Sequence, residues 1–234
     1  MSTCATLRVT FRTPVAIGHT GQFPVLDSIL LHRLALLHDG DIDAARRQMP
    51  LDRLGCGMWA CGGGYDPSLI VQASPPVEIK KVYRRFVGDR DLMSLAHEHV
   101  GVPIERFPHA MTPMFGMYKP ATESTYSTTH AMELEFRFRG DPDRVQRVMN
   151  LEPFLGPGHS VGMGEIGDMV IVDMGDMPDS WLVQDLHCRL TRPIPQNLPV
   201  ELAVGSAWRD AVRIEAPYWQ GPTMAGLRPR HAGV

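Results

Sequence analysis

The stretch MELEFRFRGDPDRVQRVMNLEPFLGPGHSVGMGEIGDMVIVDM, residues 132–174, contains a strand pattern, a helix pattern, a glycine-rich segment and a second strand pattern. Apolar and charged residues alternate over 132–139, which predicts a half-buried strand with its charged side chains facing solvent. Asp141 stands where an N-cap precedes a helix, and the apolar spacing predicts that helix over 142–151. The β-branched run at 169–174 predicts the second strand.

The N-terminal residues follow a similar order. LRVTFR (7–12) alternates apolar and polar residues, which predicts a first strand. After a loop that contains glycine and proline, Asp27 or Ser28 is expected to cap a helix that extends to about His38. A shorter helix is expected over 41–48. The chain therefore opens with strand, glycine loop and helix.

The middle of the chain is less regular, and we expect residues 50–131 to form an inserted, thumb-like region. Within it, VEIKKVYRRFV (77–87) is rich in β-formers and predicts a strand with cations on both faces. Toward the C-terminus, strands are expected over 181–190 and near 209–215. Strands and helices in this order predict an α+β fold.

Composition limits the function classes. The 234 residues include 23 Lys and Arg against 26 Asp and Glu, so the net charge of −3 does not indicate a strongly basic nucleic-acid-binding protein. Glycine (22) and proline (20) are abundant, which argues against an all-helical bundle. No apolar run approaches the roughly 18 residues of a membrane span, and no secretory signal pattern is present. We therefore expect a cytoplasmic protein that is not bound to a membrane.

The cysteines predict neither a disulfide framework nor a metal site. Cys4 and Cys188 are isolated, and Cys56 and Cys61 are too few to form a zinc-binding pattern. No metal and no cofactor are expected.

The glycine-rich segment matches several motifs, and its flanks distinguish them. Residues 158–162, GHSVG, have the spacing of a serine-hydrolase nucleophile elbow, but a strand does not precede them and glycines interrupt any following helix. Residues 162–167, GMGEIG, have the spacing of a dinucleotide-binding loop, which requires a strand first and a helix second. Here the predicted order is helix first and strand second, so neither chemistry is favoured.

The order helix, glycine-rich loop and strand resembles the G-rich loop of the RAMP superfamily of CRISPR-associated proteins. The matching positions begin at Leu155 and Gly156 and continue through His159, Ser160, Gly162 and Gly164 into the strand at 169–172. The opening strand, glycine loop and helix resemble the type IV subunits that cap the 5′ handle of the guide RNA. The resemblance implies a ferredoxin-like or RRM-like fold over a single domain, 1–234, in which residues 132–190 carry the helix, the G-rich loop and the strands.

In that family the loop contacts RNA, because glycines allow the backbone to approach phosphate. A cationic strand can supply further phosphate contacts. The RNA-binding residues expected here are Gly156, Gly158, His159, Ser160, Gly162, Gly164, Lys80, Lys81, Arg84, Arg85, Arg12 and His19.

The resemblance implies a binding protein without catalytic residues. Its expected partners are the 5′ handle of the guide RNA (crRNA), a filament-forming RAMP backbone subunit and a large subunit. The alternative is a metal-independent RAMP endoribonuclease that processes precursor crRNA. Such an enzyme needs a general base and a general acid, for which the sequence offers His19, His32 or His38 with Tyr83 or Tyr126.

Overall fold

A computed structural model describes residues 3–15, 24–67, 77–84, 121–128, 131–156, 162–203, 205–218 and 222–229, with the backbone alone for 77–84 and 121–128. The helices are α1 (Leu26–Leu37), α2 (Ile42–Arg47), α3 (Pro142–Met149) and α4 (Asp179–Leu182). The strands are β1 (Thr3–Phe11), β2 (Val77–Arg84), β3 (Ala121–Thr128), β4 (Glu133–Gly140), β5 (Ile166–Gly175), β6 (Ile194–Pro195), β7 (Ala207–Val212) and β8 (Met224–Pro229). These elements form a mixed α+β fold with antiparallel sheets, as the sequence predicts.

The chain divides into two compact units. The main unit contains residues 1–77 and 127–234, and the inserted unit contains residues 78–126. In the inserted unit, β2 is hydrogen-bonded to β3. The region expected to be inserted, 50–131, is longer than the inserted unit, because residues 51–65 pack into the main unit.

The main sheet has the strand order β4–β1–β5, and both pairs are antiparallel. Leu7 on β1 lies between Phe136 on β4 and Ile171 on β5. The alternation of β1 and β4 places their apolar residues on one face, where they form a single core with the buried residues of α1 and α3 and with Ile166, Met169 and Ile171 of β5. The periodicity of the sequence thus determines which face of the sheet is covered by helices.

Residues 51–65 run along the other edge of β4 without forming a regular strand. The amide of Gly62 donates to the carbonyl oxygen of Arg137 at 2.8 Å, and the amides of Tyr65 and Glu135 donate to each other's carbonyl oxygens at 3.1 and 2.9 Å. Isolated antiparallel bridges join this segment to β4 at several points. Residues 51–65 therefore occupy the position of a fourth strand beside β4.

The expectation that β4 is only half buried is wrong. Glu135 and Arg137 are 7% and 6% exposed, although both lie on the face expected to contact solvent. The hydroxyl of Tyr65 donates to Glu135 Oε2 at 2.7 Å, and Arg137 donates to the carbonyl oxygens of Trp181 and Gln184 at 3.1 and 2.8 Å. These partners satisfy the two charged groups, so burial does not leave them unpaired.

The strand expected over 181–190 is also wrong. The segment starts in helix α4, and its only described pairing is an isolated bridge between Gln184 and Leu190. The carboxylate of Asp185 accepts hydrogen bonds from the backbone amides of His187 and Arg189, at 2.8 and 2.9 Å. An aspartate that binds the amides after it favours a turn over a strand.

The strand expected near 209–215 is β7, which ends at Val212 and pairs with β8. β8 also pairs with β6, so the C-terminal residues form a second small sheet. This sheet packs with α4 around a second core, formed by Leu54, Met58, Ala60, Leu182, Val183, Leu190, Ile194, Leu198, Val212 and Ile214.

A buried ion pair connects the first helix to this C-terminal region. Neither Asp27 nor Arg192 has any exposed side-chain surface, and Arg192 Nη2 lies 3.1 Å from Asp27 Oδ2. The hydroxyl of Tyr218 donates to Asp27 Oδ1 at 2.8 Å. Asp27 is therefore not the helix cap that the sequence suggests: α1 begins after Val25 with no side-chain cap, while the Ser28 hydroxyl donates to the Val25 carbonyl oxygen at 2.7 Å.

We expect Arg192→Met to lower the free energy of unfolding by about 3–5 kcal/mol, because it leaves the Asp27 carboxylate buried without its cation. Arg228→Met is the matched control: Arg228 pairs with Asp210 at 3.2 Å where both side chains are more than two-fifths exposed. Its cost should be below about 1 kcal/mol. Urea unfolding measures both, and equal midpoints for the two variants would contradict the account.

Candidate nucleic-acid interface

The glycine-rich segment between α3 and β5 is closed at its base by backbone hydrogen bonds. The amide of Leu155 donates to the carbonyl oxygen of Gly164 at 2.9 Å, and the amide of Ile166 donates to that of Pro153 at 3.0 Å. Phe154 and Glu165 form an isolated antiparallel bridge. The two ends of the segment are therefore held together before β5 begins.

The same base is attached to the residues that follow β1. The Gly164 amide donates to the carbonyl oxygen of Pro14, and the Arg12 amide donates to that of Glu165, at 2.9 and 2.8 Å. The Glu165 amide donates to the hydroxyl of Thr13 at 2.9 Å. The structure thus brings together the starting points of the two glycine-containing loops that the sequence analysis singled out.

Some of the expected RNA-binding residues lie outside the described residues: His19, Gly158, His159, Ser160 and Arg85. Lys80, Lys81 and Arg84 lie on β2 of the inserted unit. Arg12, Gly156, Gly162 and Gly164 lie in the main unit. For all of them, contact with RNA stays a prediction.

Gly162 and Gly164 both lie at this end of the sheet, but a side chain at each position would meet different surroundings. Gly164 has a φ of +69°, and a Cβ there would lie 2.0 Å from the carbonyl oxygen of Leu155. Gly162 has a φ of +79°, but a Cβ there would meet no atom within 4 Å. Gly164 is therefore required by the closed base of the segment, whereas Gly162 borders open space in which another molecule can reach the backbone.

Among the described residues, Arg12 supplies a positive charge to this end of the sheet. It follows β1, its side chain is 67% exposed, and its Nη1 lies 3.1 Å from Glu165 Oε1. Because solvent surrounds this pair, it contributes little to stability. The guanidinium can exchange the carboxylate for a phosphate, which takes the same geometry.

The described histidines of the endoribonuclease alternative lie apart on α1. His32 is an exposed side chain whose Nδ1 lies 3.7 Å from Glu152 Oε1. His38 is the C-cap residue of the helix, six positions later, which corresponds to about 9 Å along the axis. Glu152 also binds Arg33 through two hydrogen bonds, at 2.9 and 2.7 Å, and this contact raises the pKa of the Arg33 guanidinium. His19 lies outside the described residues, and Tyr83 and Tyr126 lie on β2 and β3.

The sequence analysis missed the charged cluster around Arg192. Arg192 Nη1 donates to the Cys61 carbonyl oxygen at 2.9 Å and contacts its sulfur at 3.2 Å. Burial is the largest cause that raises the pKa of the Cys61 thiol and of the Tyr218 hydroxyl, so both stay neutral. Arg192 and Asp27 are 165 positions apart, and no local pattern connects them. Asp27, Arg192 and Cys61 are fully buried, while Tyr218 is partly exposed, so the cluster connects segments of the fold rather than forming an open site.

A metal centre and a membrane span find no support in the part of the chain that the structure describes. Its histidine, cysteine and acidic side chains do not form a group of three that could hold a metal ion. None of its helices combines the length and the hydropathy needed to cross a bilayer.

The two glycines should respond differently to alanine. Gly162→Ala should cost about 1–2 kcal/mol of unfolding free energy, because only the positive φ is unfavourable. Gly164→Ala should cost more, because the new methyl group also collides with the Leu155 carbonyl. Urea unfolding of the two variants measures the difference, and an equal loss at both positions would show that the closed base is not a constraint.

No protein-family model matches this chain, and no curated protein matches it.

Proposed function

We propose that this chain is a non-catalytic RNA-binding subunit of a type IV CRISPR ribonucleoprotein. In this proposal it recognises the 5′ handle of the crRNA and caps the filament of backbone subunits. The observation that carries the proposal is the attachment of the glycine-rich segment to the residues after β1, through Gly164 and Pro14. Two loops that resemble RNA-contacting loops then start from one end of the sheet.

The order of elements in the main unit supports a ferredoxin-like arrangement. Along the chain come β1, α1, the strand-like residues 51–65, β4, α3 and β5. This is the order β-α-β-β-α-β of that unit, with residues 51–65 at the second strand. In the sheet β1 lies between β4 and β5, and α1 and α3 share one core. In the order of the sequence, residues 78–126 come after the second strand of such a unit and before the third.

The chemistry of the site favours phosphate over a small-molecule substrate. The described residues leave open space beside Gly162, and Arg12 offers a guanidinium that solvent reaches. The overall charge of −3 fits a subunit whose RNA affinity is shared with its neighbours in a complex.

Cleavage of precursor RNA by the purified protein in EDTA would replace this proposal with the endoribonuclease alternative.

The isolated chain should bind crRNA weakly, with an affinity that falls as salt rises, and should bind firmly when the filament subunit is present. Fluorescence anisotropy with crRNA and with a handle-scrambled RNA measures the two affinities and their salt dependence.

Changing Lys80, Lys81, Arg84 and Arg85 to Ala should weaken binding of both RNAs and flatten the salt dependence. Equal affinity for the two RNAs in the assembled complex would contradict handle recognition.

Substitutions at Arg12 and at Glu165 should change the RNA affinity in opposite directions. If RNA binds here, Arg12→Gln should weaken binding severalfold because it removes a phosphate partner, and Glu165→Gln should strengthen it because it frees the guanidinium. A purely structural ion pair predicts changes in the same direction for both variants. Arg228→Gln, which breaks a comparable surface pair with Asp210, is the control and should leave RNA affinity unchanged.

A further inference from the structure

Strand β5 lies at the edge of the main sheet, and its outer edge is not paired with a strand among the described residues. It is ten residues long, and among the described residues the strand that pairs with it is β1. Its second edge therefore presents a row of backbone N–H and C=O groups to which the described residues supply no strand. From Asp168 to Asp173 the pairing with β1 is regular, and a strand edge of this kind is a template for pairing with another strand.

The outer face of β5 is apolar and exposed. Val170, Val172 and Met174 occupy alternate positions and are 48%, 43% and 39% exposed. Met169 and Ile171, which alternate with Val170 and Val172, pack against the core on the opposite face of the sheet. Val170 and Val172 lie in the regular part of the pairing with β1, and Met174 lies at the register shift that follows. A group of neighbouring exposed apolar side chains marks an interaction surface, unlike apolar residues scattered singly over a surface.

On this face of the sheet, the described residues that provide cover lie over β4. Glu135 and Arg137 on β4 lie beneath Tyr65 and the residues that follow α4. Val170 lies opposite Arg8 and Val172 opposite Thr6, so the polar residues of β1 separate the apolar strip from the covered part of the sheet. The cover stops at β1, and the described residues place nothing over β5.

Acidic side chains surround the strip. Asp168, Asp173 and Asp176 are exposed, and the described residues include no cation paired with them. Arg8, the cation nearest in register, is paired with Glu133 at 3.0 Å and with Glu135 at 2.8 Å. This charge repels RNA and favours a partner that carries Lys or Arg.

We propose that β5 accepts an extended segment of a partner protein, which adds a strand to the sheet beside Ile166–Gly175. The segment has apolar residues at alternate positions, which contact Val170 and Val172, and basic residues at its ends, which pair with Asp168 and Asp173. Backbone hydrogen bonds supply affinity, and the alternate side chains supply specificity. The surface is separate from the RNA-binding function proposed above, and it does not depend on it.

A second copy of this chain fits the edge less well. Pairing of two β5 strands brings Asp168, Asp173 and Asp176 of each copy to one interface, where like charges oppose association. A basic segment meets the same acids with the opposite sign. The charge pattern therefore favours a different polypeptide over self-association.

The probe is a synthetic peptide of alternating Val and Thr with two Lys at each end, labelled with a fluorophore and titrated with the full chain. The expected result is saturable binding that weakens as salt rises. The same peptide with Glu in place of Lys, and a version with N-methylated amides, should bind at least tenfold more weakly. The first change removes charge complementarity, and the second removes the backbone hydrogen bonds.

Variants of the chain locate the site. The double variant Val170→Thr and Val172→Thr keeps side-chain shape and β propensity but removes apolar contact, and it should lower peptide affinity about tenfold. Asp168→Asn with Asp173→Asn should lower the affinity and flatten its salt dependence. Leu186→Thr, at a residue 57% exposed in the turn after α4, is the control and should change nothing.

Several results would overturn the proposal. One is no binding of the Lys peptide at millimolar protein, and another is equal binding of the Lys and Glu peptides. Sedimentation that shows a dimer abolished by the valine variants would make a second copy the occupant. Loss of crRNA affinity in the valine variants would make the strip part of an RNA site. Circular dichroism of each variant establishes that it is folded.

Discussion

The buried ion pair between Asp27 and Arg192 is the interaction on which the rest of the main unit depends. Arg192 is fully buried and donates to the backbone of Cys61 and Ile214 as well as to Asp27. It therefore connects the first turn of α1, the strand-like residues 51–65 and the C-terminal residues. A charge in this position is stable only while all of these partners remain in place, which couples the two cores.

The candidate interface lies at one end of the main sheet, beside the helices that cover it. With α1 and α3 packed on β1 and β4, the chain enters β5 through the closed base at Gly164. Backbone hydrogen bonds at this base join the described ends of the glycine-rich segment to the residues that follow β1. A binding loop whose ends are held together loses less conformational entropy when it contacts a ligand.

The parts of the fold that follow one local pattern were predictable from the sequence. Strict alternation gave β1 and β4, and Asp141 caps α3 through the Arg144 amide at 3.0 Å as expected. The strand over 181–190 was mispredicted because the turn chemistry of Asp185 outweighs the β-formers around it. Residues 51–65 and the Asp27–Arg192 pair depend on contacts between distant segments, which periodicity does not encode. Of the candidate site, the sequence supplied Arg12 and the glycines, but not the contact between Gly164 and Pro14.

We propose that the end of the sheet around Arg12 and Gly162 contacts the 5′ handle of a guide RNA. The most direct measurement is photo-crosslinking of a crRNA with 4-thiouridine in its handle, in the assembled complex, followed by mass spectrometry of the peptides. The account predicts crosslinks to peptides that contain Arg12 or Gly162. Crosslinks confined to other parts of the chain, such as the β7–β8 sheet, would contradict it.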